Sequence, residues 1–279
     1  MTQTINKLFF IRLALVAVSI AGLFAINSSA NAASETALLK VPERATEVAP
    51  NVFSLGQSYD KDSHALVEGY MIVHKKKGEA KSAAARPGGG SACYGFLSKG
   101  AKWKAVEPWR VNPLNPDGLA DAFVLGTLSN GIATWEDAAD GTLNGSGLNI
   151  IGDGAATSDT LVADETATDG NNEVYFAPLE NGTIGVTIVW GIFGGPIAGR
   201  QLVEWDQVYN TLYPWSGVGE AGKMDFQNIA VHELGHTMGL ADLYTLSCGN
   251  ETMYGYASEG EVNKRDLNAG DIAGMNALY

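Results

Sequence analysis

The chain is poor in cysteine, histidine and basic charge. It has two cysteines and four histidines in 279 residues. So few cysteines give little support to a structural zinc module, which needs a closed set of four ligands. Lys and Arg number 18 against 31 Asp and Glu, a formal net charge of −13. A surplus of acid argues against nucleic-acid binding, because neutralising phosphates takes basic side chains. No repeat period and no dense D-x-D-x-D-G calcium loop is present. A hydrophobic content of 46% excludes disorder over the whole chain.

The charge is unevenly spread. Before Ser91 there are 10 basic and 7 acidic residues, and from Ser91 onward 8 and 24. Lys7 and Arg12 precede an apolar run from Leu13 to Ile26, and small residues lead to Ala30-Asn31-Ala32, an A-x-A site. This reads as a secretory signal peptide over residues 1–32, so the mature protein is expected in a periplasm, at a cell surface or in the medium. The alternative is an uncleaved membrane anchor, but the run is short of the roughly 20 residues a span requires. Export permits a disulfide, and Cys93 and Cys248 are expected to form one.

Residues 33–90 contain one strand-like run, "ALVEGYMIVHKKK", followed by "GEAKSAAARPGGGSA", a small-residue stretch that cannot build a core. They read as a prosegment and Gly-rich linker, ahead of a main domain over residues 91–279. In that domain "GAKWKAVEPWRVNP" looks like a strand, and "DGLADAFVLGTLSNGIATWEDAA" has helical spacing that Gly126 and Gly131 weaken. Four β-branched and aromatic segments follow, "LNII", "NEVYFAPL", "TIGVTIVW" and "RQLVEWDQVYN". A second helix is expected from an Asp225 cap to Gly239, and a third at the C-terminus. One helix and four strands in this order imply an α+β or α/β sheet.

The chemistry is concentrated in "AVHELGHTMGLADLYTLSCGNETMYGY", residues 230–256. Four residues apart on a helix, His232 and His236 sit about 40° apart around the axis and one turn along it. Both imidazoles can therefore reach one ion, while Glu233 is offset enough to miss the metal and reach a water beside it. A catalytic zinc takes three protein ligands, and no histidine follows His236. The candidate carboxylates are Asp242 and, competing with it, Glu251, Glu259 and Glu261. Asp242 is favoured, because Gly239 lets the chain turn back and Asp242 lies six residues past His236.

"HELGHTMGLAD" followed by "ETMYGY" resembles the metzincin zinc endopeptidases, in the aspartate variant of the long motif found in snapalysin-like enzymes. "WDQVYNT" and the terminal "KRDLNAGDIAGMNALY" are similar to matrixins. The resemblance covers roughly residues 91–279. It implies an α+β catalytic domain: a twisted mixed sheet of about five strands with an antiparallel edge strand, an active-site helix, a Met-turn and a C-terminal helix. It further implies Zn2+ on His232, His236 and Asp242, Glu233 as general base and Met253 in the Met-turn. Tyr254 or Tyr256 could donate to the oxyanion, and a packing role serves either equally well.

By the same resemblance, a protein or peptide substrate lies antiparallel along an edge strand, assigned to "TIGVTIVW". Matrixin proenzymes are often held inactive by a prosegment cysteine on the zinc. The sequence around that cysteine is missing here, and the disulfide is preferred to such a switch. Asp153, Asp159, Asp164, Glu165 and Asp169 form an acidic loop that could take Ca2+, with a solvated loop the better reading. The expected protein is thus an exported, monomeric zinc metalloendopeptidase, free of the membrane after signal cleavage. Its rival is an inactive metzincin-like binding protein, against which Glu233 speaks.

Overall fold

The computed structural model describes residues 38–78 and 93–279. The signal peptide and most of the Gly-rich linker expected from sequence lie outside the described residues. Those described belong to one compact unit, Thr36–Tyr279. None of their helices is long and apolar enough to cross a membrane.

The first part of the unit forms three strands: β1 (Thr46–Ala49), β2 (Val52–Asp60) and β3 (Ala65–Lys76). There follow β4 (Trp109–Val111), α1 (Asp121–Asp137), β5 (Gly154–Ala156), β6 (Asn172–Ala177), β7 (Thr183–Ile192) and β8 (Gln201–Asn210). Last come β9 (Trp215–Ser216), β10 (Met224–Asp225), α2 (Phe226–Thr237), β11 (Tyr256–Ala257) and α3 (Ala269–Leu278). The main sheet runs β1-β2-β3-β7-β8-β6-β4-β5, with β11 also paired to β3 and a small β9-β10 pair apart from it. Strands β8, β6, β4 and β5 are mutually parallel, and β7 is antiparallel to β8.

The architecture is α+β. Residues 93–279 supply a five-strand mixed set with β7 as its antiparallel edge, but the outer side of that edge is covered by β3. Sequence reading saw one strand in the N-terminal part, whereas there are three. Gly56, at φ +90°, breaks the alternation of β2 where its register with β3 shifts. The strand expected at "LNII" is not formed; Ile150 and Ile151 are buried in a loop, and the pairing passes to β5 just after it. Of "GAKWKAVEPWRVNP" only Trp109–Val111 is a strand.

Alternation sorts the strands between two cores. Val67, Met71 and Val73 of β3 join Val186, Ile188 and Trp190 of β7 in one core. Ile72, Val189, Trp205 and Tyr209 face the other, against α1, α2 and α3. Gly131, which weakened the helical reading, has a packing reason: a Cβ there would lie 2.6 Å from Leu234 of α2. This close approach lets Trp135 Nε1 donate to Val231 O at 2.8 Å, fastening α1 to the helix that carries both histidines.

Candidate metal centre

Helix α2 begins where expected. The Asp225 side chain accepts from Asn228 N at 3.0 Å, satisfying an otherwise free N–H of the first turn, and Arg265 pairs with the same carboxylate. The helix ends at Thr237, and Gly239, at φ +101°, reverses the chain. Its left-handed backbone suits glycine, and a Cβ would meet Ala101 O at 2.9 Å. The reversal brings Asp242 back onto the helix. His232 Nε2 and His236 Nε2 stand 3.1 and 3.5 Å from Asp242 Oδ1.

The far side of each ring is held by the backbone. His232 Nδ1 lies 2.6 Å from Thr252 O, and His236 Nδ1 lies 2.9 Å from Leu240 O. A carbonyl can only accept, so each Nδ1 carries the proton and each Nε2 presents a lone pair to the centre. His232 Nε2, His236 Nε2 and Asp242 Oδ1 are buried without a hydrogen-bond partner. Those three side chains form a group with metal-ligating reach. Three orphaned ligand atoms, two imidazole and one carboxylate, fit the donor set of a zinc ion.

Charge balance accompanies the geometry. Burial, opposed by its neighbours, still leaves Asp242 well below the usual carboxylate range, because His236 and His232 favour its anion. Burial pushes His232 down to about 3, keeping that ring neutral. Burial also works against His236, but Asp242 outweighs it and the net shift is upward. A bound cation would claim the same lone pairs.

The turn beneath the histidines is anchored from α3. Asp271, in the capping box of that helix, accepts from Thr252 N at 2.7 Å and Met253 N at 3.2 Å. A Cβ on Gly235 would fall 2.1 Å from Met253 Sδ, so only glycine lets the methionine seat under α2. Lys264, fully buried, donates to Tyr254 O and Tyr256 O at 2.5 and 2.6 Å, shaping the segment that follows. Tyr254 and Tyr256 pack edge to face, 5.8 Å between centroids. The other carboxylates weighed from sequence are engaged elsewhere: Glu251 on Gly270 N, Glu259 on Lys76, and Glu261 on Ser258 N. Cys93 and Cys248 are bonded, tying the start of the main domain to the loop after Asp242.

Three contacts at the site escaped the sequence. His74 Nδ1 lies 2.9 Å from Glu233 Oε1, Thr187 Oγ1 donates to Glu233 Oε2 at 2.6 Å, and the Tyr244 hydroxyl donates to Asp242 Oδ2 at 2.9 Å. For His74 a signal existed, since it alternates with Ile72 on the helix-facing side of β3. Thr187 and Tyr244 had none, because a lone hydroxyl in a strand or loop does not reveal its partner.

Of the five acidic loop residues, only Asp164 enters a cluster among the described residues, with Glu204 and Asp206. Asp206 accepts from Asp164 N and Glu173 N, and Glu204 from Asp169 N and Gly170 N. Burial raises all three carboxyls above their ordinary range.

No curated protein matches the chain. A family model does: that of the matrixins, peptidase family M10, over residues 114–279. The match spans α1, the sheet from β5 onward, both histidines, the turn at Met253 and α3. The family is one of zinc-dependent peptidases that act on proteins or peptides. With more than half of its length matched, the chain belongs to the matrixin family.

Proposed function

We propose that the protein is an exported zinc metalloendopeptidase with His232, His236 and Asp242 as metal ligands and Glu233 as general base. The observation that carries this reading is the convergence of three buried, unpartnered ligand atoms on one point beside Glu233. Zinc, when bound, supplies Lewis acidity, lowering the pKa of a water and polarising the scissile carbonyl. Carbonyls of Thr252 and Leu240 hold the two rings in the tautomer that ligation needs. Tyr244 steadies Asp242, leaving Oδ1 for the ion.

Glu233 takes the proton of the attacking water and hands it to the leaving amine. Burial raises its pKa, which makes it a stronger base than an exposed glutamate, and the Thr187 hydroxyl fixes its orientation. Tyr254 or Tyr256 would donate to the oxyanion; a Phe variant with unchanged turnover removes that residue from the role. Calcium is outside this reading: the one loop carboxylate that joins a cluster, Asp164, does so with side chains already bonded to backbone N–H groups. Export rests on the N-terminal apolar run and its A-x-A site, and the acidic surface leaves no role for nucleic acid.

The test is hydrolysis of casein or a peptide library by zinc-loaded protein, with Glu233→Gln loaded to the same zinc content. Loss of the base is expected to lower turnover by about 10²- to 10⁴-fold. Equal turnover in the two proteins would remove Glu233 from the role.

A further inference from the structure

Strand β3 runs beside β7 over residues 68–75. Eight residue pairs, from Glu68–Gly191 to Lys75–Thr183, join it antiparallel to β7. On its other side β2 pairs antiparallel with residues 65–72, and Tyr256–Lys75 and Ala257–Lys76 join it parallel to β11, the segment just past the Met253 turn. Both walls of the groove are therefore hydrogen-bonded by the chain itself. Lys76 N donates to Gly182 O and Lys77 N to Ala257 O, each at 2.9 Å. An extended peptide recognised by strand addition needs those same backbone groups.

One β3 side chain reaches the site. His74 is fully buried, its ring centroid 4.0 Å from that of His232 and its Nδ1 2.9 Å from Glu233 Oε1. Thr187 occupies Oε2, so both oxygens of the base are engaged and Glu233 has no exposed surface. Gly185, the β7 partner of His74, leaves room for this, because a Cβ there would come within 3.2 Å of Glu233 Oε1. A second contact comes from the turn between β1 and β2. Asn51, at φ +57°, donates to the Tyr244 hydroxyl that bonds Asp242.

We propose that β3 is an intramolecular occupant of the substrate groove, with His74 clasped on Glu233, so that the intact chain is latent until β3 leaves. This rests on the peptidase reading of the same site. Val67, Met71 and Val73 of β3 are buried in the core with β7, so the occupant is held firmly and its departure is rare. The fraction of chains with an open groove then sets the apparent affinity of anything that binds there.

The experiment uses the full zinc-loaded chain and a fluorescent tripeptide hydroxamate, a probe that needs both the metal and a free strand edge. Probe affinity is measured for wild type, His74→Ala and Lys76→Glu, the last placing a like charge opposite Glu259, to which Lys76 is paired at 2.6 Å. Hydrogen exchange of the β7 amides reports the seat of β3 in each, and circular dichroism checks that each variant folds. The expected result is weak binding by wild type and at least about tenfold tighter binding by His74→Ala, the order for losing a buried hydrogen bond to a carboxylate. A smaller gain, up to about fivefold, is expected for Lys76→Glu, whose pair is partly exposed; faster exchange along β7 accompanies both. Wild type that binds as tightly as both folded variants, with β7 amides still protected, overturns the proposal. Turnover is scored separately: variants that gain probe affinity yet cleave no peptide contradict the peptidase reading and leave the occupancy of the groove standing.

Discussion

Two clusters of metal-ligating side chains sit among the described residues, and they are built in opposite ways. Around α2, one carboxylate, Asp242, meets two imidazoles whose outer nitrogens are pinned by carbonyls, and the three inward atoms lack partners. Around β8, three carboxyls, Asp164, Glu204 and Asp206, meet one another and a set of backbone N–H groups. The first keeps its carboxylate ionised and its lone pairs free, an arrangement made for a cation. In the second, burial pushes each carboxyl upward, because lost hydration and neighbouring carboxylates disfavour the anions. Burial and unpartnered oxygens are common to both, since Asp164 Oδ2 and Glu204 Oε1 also lack partners, so what separates the clusters is the mixture of donors: two imidazoles with one carboxylate at α2, carboxyls alone at β8.

The comparison breaks most sharply at a proposed ligand. His236→Ala is expected to weaken zinc binding by more than the roughly 10- to 100-fold typical of losing an outer partner, read by chelator competition. Unchanged affinity would move the metal elsewhere. Next in size, Tyr244→Phe removes the hydroxyl from Asp242 Oδ2 without changing the ligand set. A loss of about tenfold in zinc affinity is expected, and no loss would make Tyr244 a packing residue only.

The smallest effect concerns the β8 cluster and pH. Glu204 has a folded pKa above its unfolded one, raised by burial and by Asp206. Its contribution is therefore full below the ordinary carboxylate range and is lost as pH rises through and beyond it. Glu204→Gln keeps an acceptor for Gly170 N and carries no charge. Urea unfolding of the metal-free protein from pH 4 to 8 should show a decline for wild type that is shallower for the variant, by about 1 kcal/mol. Parallel profiles would contradict the assignment of that cost to Glu204.

Much of the α2 cluster was legible in the sequence, because a helix converts spacing into direction. A spacing of four positions between the histidines and a glycine before Asp242 predict convergence without knowledge of the rest of the fold. The acidic loop was misleading for the converse reason. Asp153 and Asp159 are neighbours of Asp164 in sequence, yet its partners came from β8, and a contact between a loop and a distant strand leaves no local trace. The same limit hid the N-terminal strands. "ALVEGYMIVHKKK" was readable as a strand, but its pairing with β7, more than a hundred residues later, is a matter of topology, and with it went the approach of His74 to Glu233.

The most direct test sets the clusters side by side. Zinc is titrated calorimetrically into the metal-free chain, into Asp242→Ala and into Glu204→Ala, with folding of each checked by circular dichroism. The account predicts one tight site in wild type, its loss in Asp242→Ala and its retention in Glu204→Ala. Tight binding that survives in Asp242→Ala and disappears in Glu204→Ala would contradict it and place the metal at β8.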